Sequence, residues 1–191
     1  MPKNILTVNM NEVRFNTDES TVVTTEGLTT CIAFIIQGSF WDEDDDEISF
    51  CGLYHWSGFE DPDEDPDKQA RKALLFFLTK LREFAGVEED TEITIDLLKF
   101  IGGEKEQRDS EDKLIVSGTE AEVNSLIKAV KEFNFAKYHF RIDPKVISHQ
   151  HFLTKNEQTI SIGLSLSDCR FVIINPIPTE EPNSDLSIQL S

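Results

Sequence analysis

Cys31 ends the run Thr24-Thr25-Glu26-Gly27-Leu28-Thr29-Thr30-Cys31 and opens an apolar stretch, Ile32-Ala33-Phe34-Ile35-Ile36. His55 closes a second strand-like run, Ile48-Ser49-Phe50-Cys51-Gly52-Leu53-Tyr54-His55, 24 positions later. If the two runs pair as neighbouring strands, a thiol entering one faces an imidazole leaving the other. That is the minimum set for a thiolate nucleophile with a general base. The imidazole would lower the thiol pKa and populate the thiolate, and in its charged form it would protonate a leaving group. A third group is then expected to orient the ring. Backbone N–H groups around Thr30 and Cys31 are the expected oxyanion donors. Packing is the alternative, because a cysteine in a strand of Ile, Val and Phe commonly serves as a small buried hydrophobe. The residues by themselves leave both readings open.

Other reactive types are less well placed. Cys51 and Cys169 sit inside strand patterns with no nearby base, and packing accounts for them. His149 and His151 form a His-x-His pair, a spacing that puts two imidazoles on one face of a strand. It reads either as half of a metal site with no evident third ligand or as a surface loop. His139 alternates within a strand-like stretch and has no partner. Gly102-Gly103 lacks the Lys-Ser/Thr that follows a phosphate-binding loop, so it reads as a tight turn with positive φ.

The elements that must hold these groups follow from periodicity. Residues 4–24 suggest two short strands with a turn near 16–20, and residues 31–37 a central strand buried on both faces. A charged hairpin over 41–47 connects to the His55 strand. A helix begins at Asp65 or Asp67, with Pro66 in its first turn. Its apolar stripe is Ala70, Ala73, Leu74, Phe77, Leu78, Leu81 and Phe84, and Gly86 stops it. Strands are expected at 93–101 and 114–116. A second helix opens on the capping box Thr119-Glu120-Ala121-Glu122 and buries Val123, Leu126, Ile127, Val130 and Phe133. Alternation returns over 136–142, then a hairpin pairs 159–166 with 170–175. The sum is an α+β fold, mostly antiparallel β-sheets forming a sandwich with two main helices packed on them. Residues 1–175 form one domain, and residues 176–191, rich in Pro, Ser and acids, a loose tail.

The chain has 191 residues and a formal charge of −18. Such acidity argues against nucleic acid, whose phosphates need clustered Lys and Arg. It suits solvated surfaces or a basic protein partner. Much of the charge lies in 42–47 and 60–67, which flank the His55 strand and would rim a site there. No apolar run reaches the roughly 18–20 residues that cross a bilayer, so membrane insertion is not expected. Three cysteines without a CxxC pair imply free thiols in a reducing compartment. Cytoplasmic residence follows, or an effector exported without a cleaved leader.

The order of these elements is similar to that of the CheD family of chemoreceptor glutamine deamidases. The resemblance rests on Thr25-Glu26-Gly27-Leu28-Thr29-Thr30-Cys31, the strand ending Gly52-Leu53-Tyr54-His55, the helix after the acidic loop, the turn at Gly102-Gly103 and the start of the helix after Ser117-Gly118-Thr119. It covers roughly residues 20–175. Deamidating toxins of the cytotoxic necrotizing factor type share the fold and the Cys/His arrangement. The resemblance implies Cys31 as nucleophile, His55 as base and Thr25 as the hydroxyl that positions the imidazole. It implies hydrolysis of a protein Gln side chain to Glu through a thioester, with no metal or organic cofactor. Thr29-Thr30 stand where the family carries Gly-Ser, and the acidic stretches around His55 have no counterpart. Two rival functions share this frame: a non-catalytic adaptor binding through its acidic rim, and a transglutaminase in which an amine resolves the thioester.

Overall fold

The continuous apolar run after Cys31 becomes the middle of the larger sheet. In a computed structural model, which describes residues 4–61 and 63–175, β4 (Ile32–Trp41) lies between β5 (Glu47–Trp56) and β6 (Ile93–Gly102), antiparallel to both. Its two faces bury into different cores, which is why the sequence shows no polar alternation. Cys31, Ala33 and Ile35 face a second sheet together with Cys51, Leu53 and Ile101. Ile32, Phe34 and Ile36 face the helices, where the Phe34 ring meets Trp56, Phe77 and Phe100 edge-on.

The larger sheet continues beyond β6 to β10 (Ile147–Gln150) and beyond β5 to β2 (Val13–Asn16), with β9 (Phe140–Ile142) also beside β6. The facing sheet has the order β1 (Asn4–Thr7), β3 (Thr21–Leu28), β11 (Thr159–Leu164), β12 (Cys169–Ile174). A two-stranded ribbon joins β7 (Gln107–Arg108) to β8 (Leu114–Val116). The fold is therefore α+β, two sheets face to face with helices on the outer side of the larger one, and most strand pairings are antiparallel. β1–β3, β6–β10 and β6–β9 are parallel. The early chain holds three strands instead of the expected two. It crosses between the sheets twice, with β1 and β3 in one and β2 in the other.

Helix α1 (Pro66–Ala85) begins and ends as its sequence requires. The Asp65 side chain accepts from the Asp67 and Lys68 N–H groups, Pro66 occupies the first turn, and Gly86 stops the helix at φ 65°. The stripe through Leu81 is buried. Phe84 is not: it is 40% exposed and lies against the Phe15 ring. Helix α2 (Glu120–Lys131) buries Val123, Leu126, Ala129 and Val130, while Ile127 and Phe133 are only partly covered. Its capping box does not form, because the Thr119 hydroxyl accepts from the Glu104 N–H at 2.9 Å instead of from its own helix. His139 does not alternate in a strand either. It follows a 3₁₀ turn, Phe135–Tyr138, in the left-handed region at φ 57°, and only then does β9 begin. The tail expected over 176–191 lies outside the described residues. Among the described residues no helix is long and apolar enough to cross a membrane.

Candidate active site

The hairpin β4–β5 sets the thiol and the imidazole on one face. Ala33 pairs with His55, so Cys31, two residues before Ala33, is the diagonal neighbour of His55 at the mouth of the sandwich, a relation that puts Cβ atoms within about 7–8 Å. The connection between β1 and β2 fixes His55 from its other side: the Asn11 N–H donates to the His55 carbonyl at 2.6 Å, and the His55 N–H donates to the Glu12 carbonyl at 3.1 Å.

Thr25 approaches from the opposite sheet. β3 carries a bulge against β11, since Thr25 opposes Ile162 and Leu28 opposes Ile160. The extra residue lies at Glu26-Gly27, with Gly27 at φ 73°. A regular strand would turn Thr25 and Leu28 to opposite faces; the bulge turns both inward, and both are fully buried. The Thr25 hydroxyl donates to the Val8 carbonyl at 2.8 Å and lies 2.8 Å from His55 Nδ1. A hydroxyl has one proton, and the carbonyl can only accept. The proton in the second contact therefore belongs to Nδ1, which assigns the tautomer from the hydrogen-bond network. The lone pair is left on Nε2. Among the described residues, His55 Nε2 is the buried side-chain nitrogen or oxygen that has no hydrogen-bond partner.

Cys31 and His55 line one cavity of about 590 Å³, roofed by Val8, Asn9 and Met10 and bordered by Glu26 and Thr29. Cys31 is 8% exposed and His55 5%. Burial raises the Cys31 thiol above its ordinary value, although the backbone N–H groups of Thr29 and Cys31 pull the other way. Burial likewise lowers His55. The resting pair is a thiol beside a neutral imidazole. This corrects the expectation of a thiol lowered by its histidine: both groups lose solvation, and each shift favours the uncharged form.

Of the three groups expected to act together, Thr25 and His55 are in contact, and Cys31 lines the same cavity as His55 without a hydrogen bond to its ring. The backbone N–H groups of Thr29 and Cys31 counter the effect of burial on the thiol, and Thr30 lies in the bend between them. The Val8 carbonyl and the roof over residues 8–10 were not foreseen. A backbone acceptor leaves no mark in side-chain patterning, and the only signal available was that Val8 sits one position beyond a short apolar strand.

The remaining candidates lie elsewhere. His149 is on β10 and approaches the Gly102 carbonyl at 2.8 Å, while His151, at φ 66° just past that strand, approaches Glu157 at 3.0 Å. The two imidazoles therefore do not share a strand face, and among the described residues no group of metal-ligating side chains converges. Cys51 is fully buried, its thiol pushed up to about 11 chiefly by desolvation, and Cys169 packs in the same core. Gly102 and Gly103 form the expected turn, at φ 111° and 83°. A second cavity of about 610 Å³ lies on the helix side, where Arg82 donates to five carbonyl oxygens including those of Thr91 and Tyr138, which makes it a structural brace.

No protein-family model and no curated protein matches this chain.

Proposed function

We propose that this protein is a cysteine-dependent protein-glutamine amidohydrolase. The observation that carries the reading is the chain of contacts from the Val8 carbonyl through the Thr25 hydroxyl to His55 Nδ1, which leaves the lone pair on Nε2 of a histidine that lines the same cavity as Cys31. The similarity of the run over 25–31 and of the His55 strand to the CheD family supports the same reading.

The reaction is written as two half-reactions. His55 Nε2 takes the Cys31 proton as sulfur forms a bond to the amide carbon of a glutamine side chain. The oxyanion is held by backbone N–H groups around Thr30 and Cys31, a stabilisation worth roughly 3–4 kcal/mol per donor where it has been probed by mutation. Collapse breaks the C–N bond, and imidazolium gives its proton to the departing –NH2, which leaves as ammonia. Water, deprotonated by the same Nε2, then attacks the thioester; carboxylate leaves the sulfur, and the thiol is restored. Thr25 holds the ring in the required tautomer throughout.

The test is incubation with Gln-containing proteins, following ammonia and a gain of about one dalton. Both must vanish in Cys31→Ala; activity that persists removes the reading. A non-catalytic adaptor has one observation in its favour, the raised and nearly covered Cys31 thiol. It is the answer if iodoacetamide fails to label Cys31 in the folded protein. Incorporation of a fluorescent amine in place of water would move the assignment to a transglutaminase.

A further inference from the structure

The sequence singles out a His-x-His pair and a Gly-Gly turn that the reaction above does not use. They meet behind the nucleophile. The Gly103 N–H donates to the Cys31 carbonyl at 3.0 Å. Gly102 packs against the same carbonyl so closely that an added Cβ would lie 2.4 Å from its oxygen, and its φ of 111° suits glycine. The turn is itself gripped by the segment after β10. The His151 carbonyl accepts from the Gly102 N–H at 3.2 Å, and the Leu153 N–H donates to the Gly103 carbonyl at 2.9 Å. One side chain joins this set: His149 Nε2, 2.8 Å from the Gly102 carbonyl, its ring packed against Phe152 at 4.2 Å between centroids. A carbonyl can only accept, so Nε2 carries the proton and donates.

We infer that His149 is a positioning residue for Cys31, acting through the Gly102-Gly103 turn. The inference rests on the reading of Cys31 as a nucleophile. The carbonyl that Gly103 anchors is that of Cys31 itself, so the turn fixes the backbone from which the sulfur projects into the cavity shared with His55. Releasing the Gly102 carbonyl frees the turn, and the anchor moves with it. Cys31 then shifts relative to His55 and to the cavity that both line. Displacements of about 1 Å at such sites cost rate out of proportion to their size. His151 contributes its backbone to the grip and its imidazole to Glu157, so its side chain is dispensable for this purpose.

The experiment measures the rate at which iodoacetamide labels Cys31 at pH 8, read from the Cys31 peptide by mass spectrometry, in the full chain and in variants with cooperative melting. His149→Leu is expected to label at least about tenfold more slowly. His149→Gln, whose side-chain amide reaches the same carbonyl, is expected to recover to within about threefold, and His151→Leu to match the parent. With a substrate in hand, His149→Leu lowers kcat and leaves KM unchanged. Parent-like labelling of His149→Leu overturns the inference, as does His149→Gln labelling no faster than His149→Leu. Should His149→Leu not fold, His149→Gln and His149→Asn carry the same comparison, because the shorter amide falls short of the carbonyl. Failure of the functional reading looks different: the parent Cys31 itself does not label, or labels while no glutamine is hydrolysed.

Discussion

Thr25 and His55, 30 residues apart and on different sheets, share a contact of 2.8 Å between hydroxyl and imidazole. The hydroxyl is committed to the Val8 carbonyl, so the contact fixes which ring nitrogen is the base. Removing the hydroxyl alone, as in Thr25→Val, leaves the carbonyl without its donor and frees the ring to adopt either tautomer. The expected result is a fall of about 100-fold or more in kcat, in line with the weight of general acid–base catalysis, and a loss of about 1–3 kcal/mol of stability from the orphaned buried groups. Thr25→Ser keeps the hydroxyl and should retain most of both. Steady-state rates and urea titrations check the pair, and ¹⁵N shifts of His55 report the tautomer directly.

The pH dependence follows from the two burial shifts. His55 is held below its ordinary 6.5, so at pH values just under 6.5 the unfolded chain binds a proton that the folded chain refuses. The same applies to His149. Stability is therefore intact above 6.5 and falls as pH drops through that value. Cys31 is held above its ordinary 9.0, and Cys51 at about 11. Above 9.0 the unfolded chain releases thiol protons that the folded chain keeps, so stability falls again as pH rises. Activity needs a neutral imidazole and a protonated thiol before transfer, and both persist across the interval. The acid limb of kcat/KM should thus lie below 6.5 and the alkaline limb above 9.0, and a limb inside that interval would contradict the assignment.

The bulge at Gly27 is a separate requirement. A Cβ at this position meets nothing within 4 Å, so crowding is absent and only the positive φ opposes a side chain. Gly27→Ala is expected to cost about 1–2 kcal/mol, and Gly27→Asn less, because Asn tolerates the left-handed region. Urea midpoints give the order. Activity should follow stability here, because a strand that irons out the bulge turns Thr25 away from His55.

Pairing of the two site strands was legible because the residues themselves demand it. A continuous apolar run with high Ile content, a charged tight connection and a second apolar run leave few arrangements besides the β4–β5 hairpin, and that hairpin places Cys31 diagonal to His55. The α1 boundaries were equally plain, since Asp65, Pro66 and Gly86 each do one local job. What failed to read were cases where a distant backbone group claimed a side chain. Thr119 has the spacing of a capping box, but the Glu104 N–H takes its oxygen. His139 alternates with its neighbours, yet a 3₁₀ turn stops at it. The same cause hid the Val8 carbonyl, without which the tautomer of His55 has no explanation. The sign of the Cys31 shift was missed for another reason: a sequence pattern shows who the neighbours are and nothing of how much water they exclude.

No protein group among the described residues hydrogen-bonds the buried lone pair on His55 Nε2, and an acceptor so placed costs stability wherever water does not reach it. The cost can be measured with a double-mutant cycle on Thr25 and His55. Thr25→Val leaves Nδ1 as a second unpaired atom on the same ring, whereas the double variant Thr25→Val/His55→Met removes the ring and both of its unpaired nitrogens. Replacing both members of a buried polar pair by apolar groups is often close to neutral, while removing one is not. The double variant is therefore expected to be at least as stable as Thr25→Val alone, with a coupling of roughly 0.5–3 kcal/mol between the sites, and to have no detectable hydrolysis. If instead the two losses simply add, His55 is held by packing in its own right and the orphaned nitrogen carries no penalty.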